Sequence, residues 1–122
     1  MAQEQPVQQM KAQIRVRPFA DTNPIEMLPG VIRRTLVSGD GHTLVRFELA
    51  EGGVVPEHTH PHEQAGTVIK GRVRFRIGDQ EAEVVPGDSY FIPSEVPHSA
   101  TALEESILVE VFAPVREEYA YD

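Results

Sequence analysis

Val73-Arg74-Phe75-Arg76-Ile77-Gly78-Asp79-Gln80-Glu81-Ala82-Glu83-Val84 is the stretch whose reading decides the fold. Val73, Phe75 and Ile77 alternate with Arg74 and Arg76, the two-residue period of a strand with one face on a core and the other in water. Gly78-Asp79 follows as a two-residue turn, which makes the stretch a hairpin. Folding the chain about that turn sets Arg76 opposite Glu81, Arg74 opposite Glu83, Phe75 opposite Ala82 and Val73 opposite Val84. Opposite charges then meet on one face and apolar side chains on the other. The stripe of Arg72, Arg74 and Arg76 therefore reads as a solvated sheet face rather than a basic binding patch.

Working outward, residues 31–37 and 43–49 form a second hairpin around Ser38-Gly39-Asp40-Gly41-His42, whose Asp-Gly pair suits a turn needing positive φ. Pro86-Gly87-Asp88 predicts another turn, residues 89–93 a short strand and residues 106–112 a longer one. In that last strand Ile107, Val109 and Val111 share one face and Leu108, Glu110 and Phe112 the other, so alternation alone leaves either as the core face. Nine glycines and ten prolines are scattered along the chain, the punctuation of many short strands, and no long segment has helical periodicity. The expectation is an all-β chain, a small antiparallel barrel or sandwich, without internal repeats.

A length of 122 residues suits a single domain. Nineteen acidic against eleven basic side chains give a formal charge of -8, which repels phosphate backbones and anionic headgroups; neither nucleic acid nor membrane is an expected partner. The absence of cysteine excludes disulfides, thiolate metal sites and a cysteine nucleophile. Residues 1–13 are polar, with five Gln and no apolar run, and read as a mobile tail without a secretory signal or membrane span. Order is expected from residue 14 onward, and a cytoplasmic location follows as the simplest expectation.

His58, His60 and His62 cluster in Pro56-Glu57-His58-Thr59-His60-Pro61-His62-Glu63-Gln64, and His98 follows Pro97 much later. In an extended strand residues two apart face the same way, so His58 and His60 can present both rings to one point inside a barrel, a chelating geometry. His98 can bring a third imidazole to that point and Gln64 a carbonyl oxygen. Pro61 interrupts the strand before His62, which is a weaker candidate. His42, alone in its turn, is expected in solvent.

At these residues the sequence resembles the cupin family. The first cupin motif runs Gly, five residues, His-x-His, three or four residues, Glu, six residues, Gly; Gly52, His58, His60, Gln64 and Gly71 fall on it, with the acid changed to Gln. The second runs Gly, five residues, Pro-x-Gly, two residues, His, three residues, Asn; Gly87, Pro93 and His98 match, while Glu95 and Ala102 replace the second Gly and the Asn. The resemblance runs over roughly residues 32–119 and implies a jelly-roll (double-stranded β-helix) fold for the single domain expected over residues 14–122, with His58, His60, Gln64 and His98 holding one divalent transition metal. Mn, Fe, Co, Ni and Zn all suit three imidazoles and an oxygen. A neutral Gln leaves the metal charge less compensated than Glu would, which favours a more Lewis-acidic site.

A narrower resemblance lies in His60-Pro61-His62-Glu63-Gln64, Pro86-Gly87-Asp88-Ser89-Tyr90 and the run from Glu110 to Tyr119. These are similar to the pectin-degradation cupins that open the ring of 4,5-unsaturated uronates, where an Asp, a Phe and an Arg near the C-terminus line the site. Phe112 and Arg116 match in type, and Glu110 stands where the family has Asp. The implied catalytic residues are Glu110 moving protons, Arg116 engaging a substrate carboxylate and Phe112 beside them. Arg116 can equally pair with Glu117 or Glu118 at the surface. The first expectation is thus a metal-assisted isomerase acting on a small anionic sugar; the alternatives are an Fe- or Mn-dependent oxidoreductase and a non-catalytic metal- or ligand-binding module. A homodimer is expected, because a sheet edge near the N-terminal segment needs covering and small cupins commonly pair.

Overall fold

The computed structural model describes residues 14–122. The tail expected over residues 1–13 lies outside the described residues. After a 3-10 turn at Phe19–Asp21 come ten strands: β1 (Ile25–Leu28), β2 (Val31–Ser38), β3 (Thr43–Leu49), β4 (Val54–His58), β5 (Glu63–Lys70), β6 (Val73–Ile77), β7 (Gln80–Val84), β8 (Ser89–Ile92), β9 (His98–Ala102) and β10 (Ser106–Ala113). A four-residue helix, α1 (Glu117–Ala120), follows.

The strands form a six-stranded sheet in the order β1-β2-β3-β10-β5-β8 and a four-stranded sheet in the order β4-β9-β6-β7. All pairings are antiparallel. This is the all-β jelly roll expected, built as two open sheets rather than one closed barrel. A single core lies between them, with Val45, Phe47, Val68 and Leu108 from the larger sheet meeting Val73, Phe75, Ala100 and Ala102 from the smaller. Alternation explains the burial: every second residue of β3 and of β10 is buried, because period-two side chains on a sheet with one covered face point alternately into the core and away. Burying each such Val, Leu or Phe contributes about 1.5–3 kcal/mol.

The hairpin of β6 and β7 has the register read from the sequence, with Val73 opposite Val84, Arg74 opposite Glu83, Phe75 opposite Ala82 and Arg76 opposite Glu81. Gly78 takes φ 62 in the turn, where a glycine meets no steric penalty. Arg74 reaches Glu83 and Arg76 reaches Glu81 at 3.6 Å, both across exposed surface, so each pair contributes at most about 1 kcal/mol. The hairpin of β2 and β3 also forms, but for a different reason than expected. Neither Asp40 nor Gly41 has positive φ; the turn closes instead through the Gly39 N–H, which donates to the His42 carbonyl at 2.9 Å.

Candidate metal centre

His58 is the last residue of β4 and His98 the first of β9, and the two strands pair so that these residues stand directly opposite. Their ring centroids are 4.2 Å apart. His60 does not share a straight strand with His58, as the sequence suggested; β4 ends at His58, and His60 lies in the connection to β5. That connection is pinned to the loop between β8 and β9. Glu95 N–H donates to the His60 carbonyl at 2.9 Å, and Ser94 Oγ donates to the Pro61 carbonyl at 2.6 Å. Glu95 has φ 65, the left-handed conformation that explains why the motif carries Gly there. The pinned loop brings the His60 ring to 4.8 Å from His98 and 5.4 Å from His58.

Each imidazole is oriented by a carbonyl two residues away: His58 Nδ1 to Pro56 O at 2.8 Å, His60 Nδ1 to His62 O at 3.0 Å and His98 Nδ1 to Val96 O at 2.8 Å. A carbonyl only accepts, so each Nδ1 carries the proton and each Nε2 offers a lone pair. One nitrogen from each ring lies within 4.8 Å of the others. His98 Nε2 is buried without a hydrogen-bond partner. His60 Nε2 faces Gln64 Oε1 at 3.0 Å. The amide is not free to turn its nitrogen toward the ring, because Gln64 Nε2 donates to Glu110 Oε2 at 2.8 Å.

This arrangement puts two acceptors face to face and leaves a third unpaired, at a cost of about 1–3 kcal/mol for each unsatisfied group. Moving the His60 proton to Nε2 would only transfer the conflict to Nδ1 and the His62 carbonyl. A doubly protonated His60 would satisfy both partners, but burial and then the Arg116 charge lower its pKa from the usual value. Burial likewise pushes His98 down to about 4. The donor set therefore fits a divalent cation that accepts all the converging lone pairs, with Nε2 ligation held by Nδ1–H bonds to carbonyls.

Glu110 settles the ambiguity of β10: it is 3% exposed and faces inward with Leu108 and Phe112, while Ile107, Val109 and Val111 take the half-buried outer face. Its Oε2 accepts from Gln64 and also from the Tyr90 hydroxyl, the latter at 2.5 Å. Burial raises the Glu110 pKa, against the opposing influence of these two donors and of Arg116. The sequence marks Tyr90 only by its place in the Pro86–Tyr90 run; the alternation of β8, with Tyr90 and Ile92 buried, is the signal that points it inward.

A cavity of roughly 300 Å³ opens beside the trio, lined at this end by His58, His98, Gln64, Glu110 and Arg116 and elsewhere by apolar side chains including Val31, Phe47 and Leu108. Arg116 both lines the cavity and pairs with Glu118, its Nε donating to Glu118 Oε1 at 2.5 Å. Its guanidinium stacks on Tyr119 at 4.3 Å and on Phe112 at 4.8 Å. Phe112 itself is a buried support: its ring stands edge-on to His60 at 5.7 Å, and it is not among the cavity-lining residues. His62 stands outside the trio, with Nε2 3.3 Å from the Val115 carbonyl. His42 is exposed, as expected.

Residues 45–113 match the family model for the cupin domain. The chain belongs to the cupin family. Among solved structures this cupin is similar to an RmlC-like cupin from Shewanella frigidimarina, with TM-score 0.82 and 24% identity over 88% of this chain and 96% of that one. It is similar to the same degree to KdgF from Halomonas sp., with TM-score 0.81 and 24% identity over 87% of this chain and 98% of that one. One domain-sized part of the Mn(II)-containing oxalate decarboxylase of Bacillus subtilis also superposes, with TM-score 0.74 and 24% identity over 84% of this cupin and 30% of that chain. In sequence, 75 residues are 35% identical to a germin-like protein of Ipomoea nil, a match that spans 57% of this cupin and 32% of its relative. No helix among the described residues is long and apolar enough to cross a membrane.

Proposed function

We propose that this cupin is a divalent-metal-dependent isomerase that opens the ring of a small anionic sugar of the 4,5-unsaturated uronate type. The observation that carries the reading is the convergence of three imidazole lone pairs and Gln64 Oε1 beside a cavity that also holds Glu110 and Arg116. His58, His60, Gln64 and His98 would hold the metal, which when bound supplies Lewis-acid stabilisation of negative charge developing on a substrate oxygen.

Ring opening breaks the bond between the ring oxygen and the anomeric carbon. The anomeric hydroxyl loses a proton as its carbonyl forms, and the ring oxygen leaves as an enolate conjugated with the carboxylate. Carbon 4 of the former double bond then gains a proton, so no water or co-reactant is consumed. A single group can move both protons. Glu110 suits this role because its Oε2 is occupied by two donors, so a proton taken up by the carboxyl resides on Oε1, the oxygen that makes no hydrogen bond. Its burial-raised pKa brings it nearer the range where it both accepts and releases a proton. Arg116 spends only Nε on Glu118, which leaves the two terminal nitrogens for a substrate carboxylate. The apolar remainder of the wall favours a ring whose unsaturated end has lost a hydroxyl over a fully hydroxylated sugar.

The resemblance of residues 60–64, 86–90 and 110–119 to the pectin-degradation cupins supports the substrate class, and the fold shared with KdgF is compatible with it. The test is incubation of the metal-loaded protein with a 4,5-unsaturated uronate, following loss of the ultraviolet absorbance of the conjugated double bond. Retention of that absorbance with Mn, Fe, Co, Ni and Zn in turn would reject the reading, and oxygen uptake by the Fe or Mn form would support an oxidoreductase instead.

A further inference from the structure

Tyr90 and Glu110 sit on strands that are not neighbours. In the six-stranded sheet β5 runs between β10 and β8, and the residue of β5 opposite both Glu110 and Tyr90 is Gly66. A Cβ on Gly66 would stand 2.5 Å from the Tyr90 hydroxyl oxygen and 2.8 Å from Glu110 Cγ, so the two side chains meet only because the strand between them carries none. The Tyr90 ring is fixed in turn against Phe75, with centroids 4.2 Å apart. Its hydroxyl donates to Glu110 Oε2, the same atom that accepts the Gln64 amide.

We propose that Tyr90 is a positioning residue: by holding Glu110 Oε2 in place across Gly66, it fixes the Gln64 amide with its oxygen toward His60 Nε2. The proposal rests on reading Gln64 as a metal ligand. Tyr90 is not among the residues that line the cavity. Its hydroxyl bonds only Glu110, and Glu110 bonds only Gln64 and Tyr90 among the described residues. With the hydroxyl gone, the carboxylate loses one of the two donors that define its rotamer. The amide is then free to turn, and its NH2 group cannot coordinate a cation.

The experiment is calorimetric titration of metal-stripped full-length protein with Co(II), on four proteins: the parent, Tyr90→Phe, Gln64→Ala and the double variant. Tyr90→Phe is expected to weaken Co(II) binding by about 10- to 100-fold, the range typical of outer partners of metal ligands. In the Gln64→Ala background the same change is expected to have no further effect, because the amide it orients is absent. A Tyr90→Phe protein with parental affinity, or one that loses affinity equally in both backgrounds, overturns the positioning role. Parental affinity in Gln64→Ala overturns the ligand reading and the proposal with it, whereas weakened binding in Gln64→Ala together with parental affinity in Tyr90→Phe overturns the proposal alone. Should Tyr90→Phe fail to fold, Gly66→Ala gives the same readout, since the added methyl separates Tyr90 from Glu110; unchanged Co(II) affinity in a folded Gly66→Ala protein likewise overturns it.

Discussion

His60 Nε2 and Gln64 Oε1 face each other at 3.0 Å with no proton to share, because the His60 proton is committed to the His62 carbonyl and the Gln64 amide to Glu110. Two acceptors held this close by separate hydrogen bonds form a site prepared for a cation. The protein thus carries the cost of the arrangement in its folded structure, and metal binding recovers it.

Glu110 and Arg116 have separable roles. Glu110→Gln should retain the metal and lower kcat by about 10² to 10⁴, since an amide still accepts from Tyr90 and Gln64 but moves no proton. Arg116→Lys should instead raise KM with a smaller change in kcat, because an ammonium cannot reproduce a bidentate clamp. Steady-state kinetics on the uronate measure both; full turnover by Glu110→Gln contradicts the proton role.

The metal-free protein should lose stability as pH falls from about 6.5 toward 4. Burial holds His98 down to about 4 and His60 below its usual value, whereas unfolded histidines titrate near 6.5. In that window the unfolded chain binds protons that the folded chain refuses, so the stability present above 6.5 is progressively lost. The raised pKa of Glu110 acts in the opposite direction. Thermal melts of the parent and of His98→Gln isolate the imidazole's share: Tm of the parent should fall more steeply, and equal slopes would contradict the assignment.

Strict alternation, with charges opposite charges, makes the β6–β7 register legible in the sequence, and the histidine cluster together with the motif spacing points to His58, His60, Gln64 and His98. The direction of Glu110 is ambiguous in the sequence because β10 lies inside its sheet, where even the outward Ile107, Val109 and Val111 are apolar and half-buried, so hydrophobicity does not mark the core face. The role of Tyr90 is not legible for a different reason: its contact with Glu110 crosses a strand and depends on Gly66, a tertiary coincidence that no local pattern encodes. The ordering of His60 by a pinned loop, rather than by a strand, has the same origin.

A homodimer is the expected assembly. β1 is an edge strand, and its Met27 and Leu28 are 38% and 42% exposed beside the cavity, apolar surface that a second copy would cover. Light scattering at micromolar concentration should give about twice the 13.6 kDa chain mass. A monomer's mass would refute the dimer.

The most direct test of the metal centre is titration of the metal-stripped protein with Co(II), followed by its visible absorption. The structure predicts saturation at one equivalent per chain for the parent, with the signal abolished or shifted at least about 10-fold to weaker binding by His58→Ala, which removes one of the converging nitrogens. No saturable signal in the folded parent, or the same binding curve for His58→Ala, would contradict it.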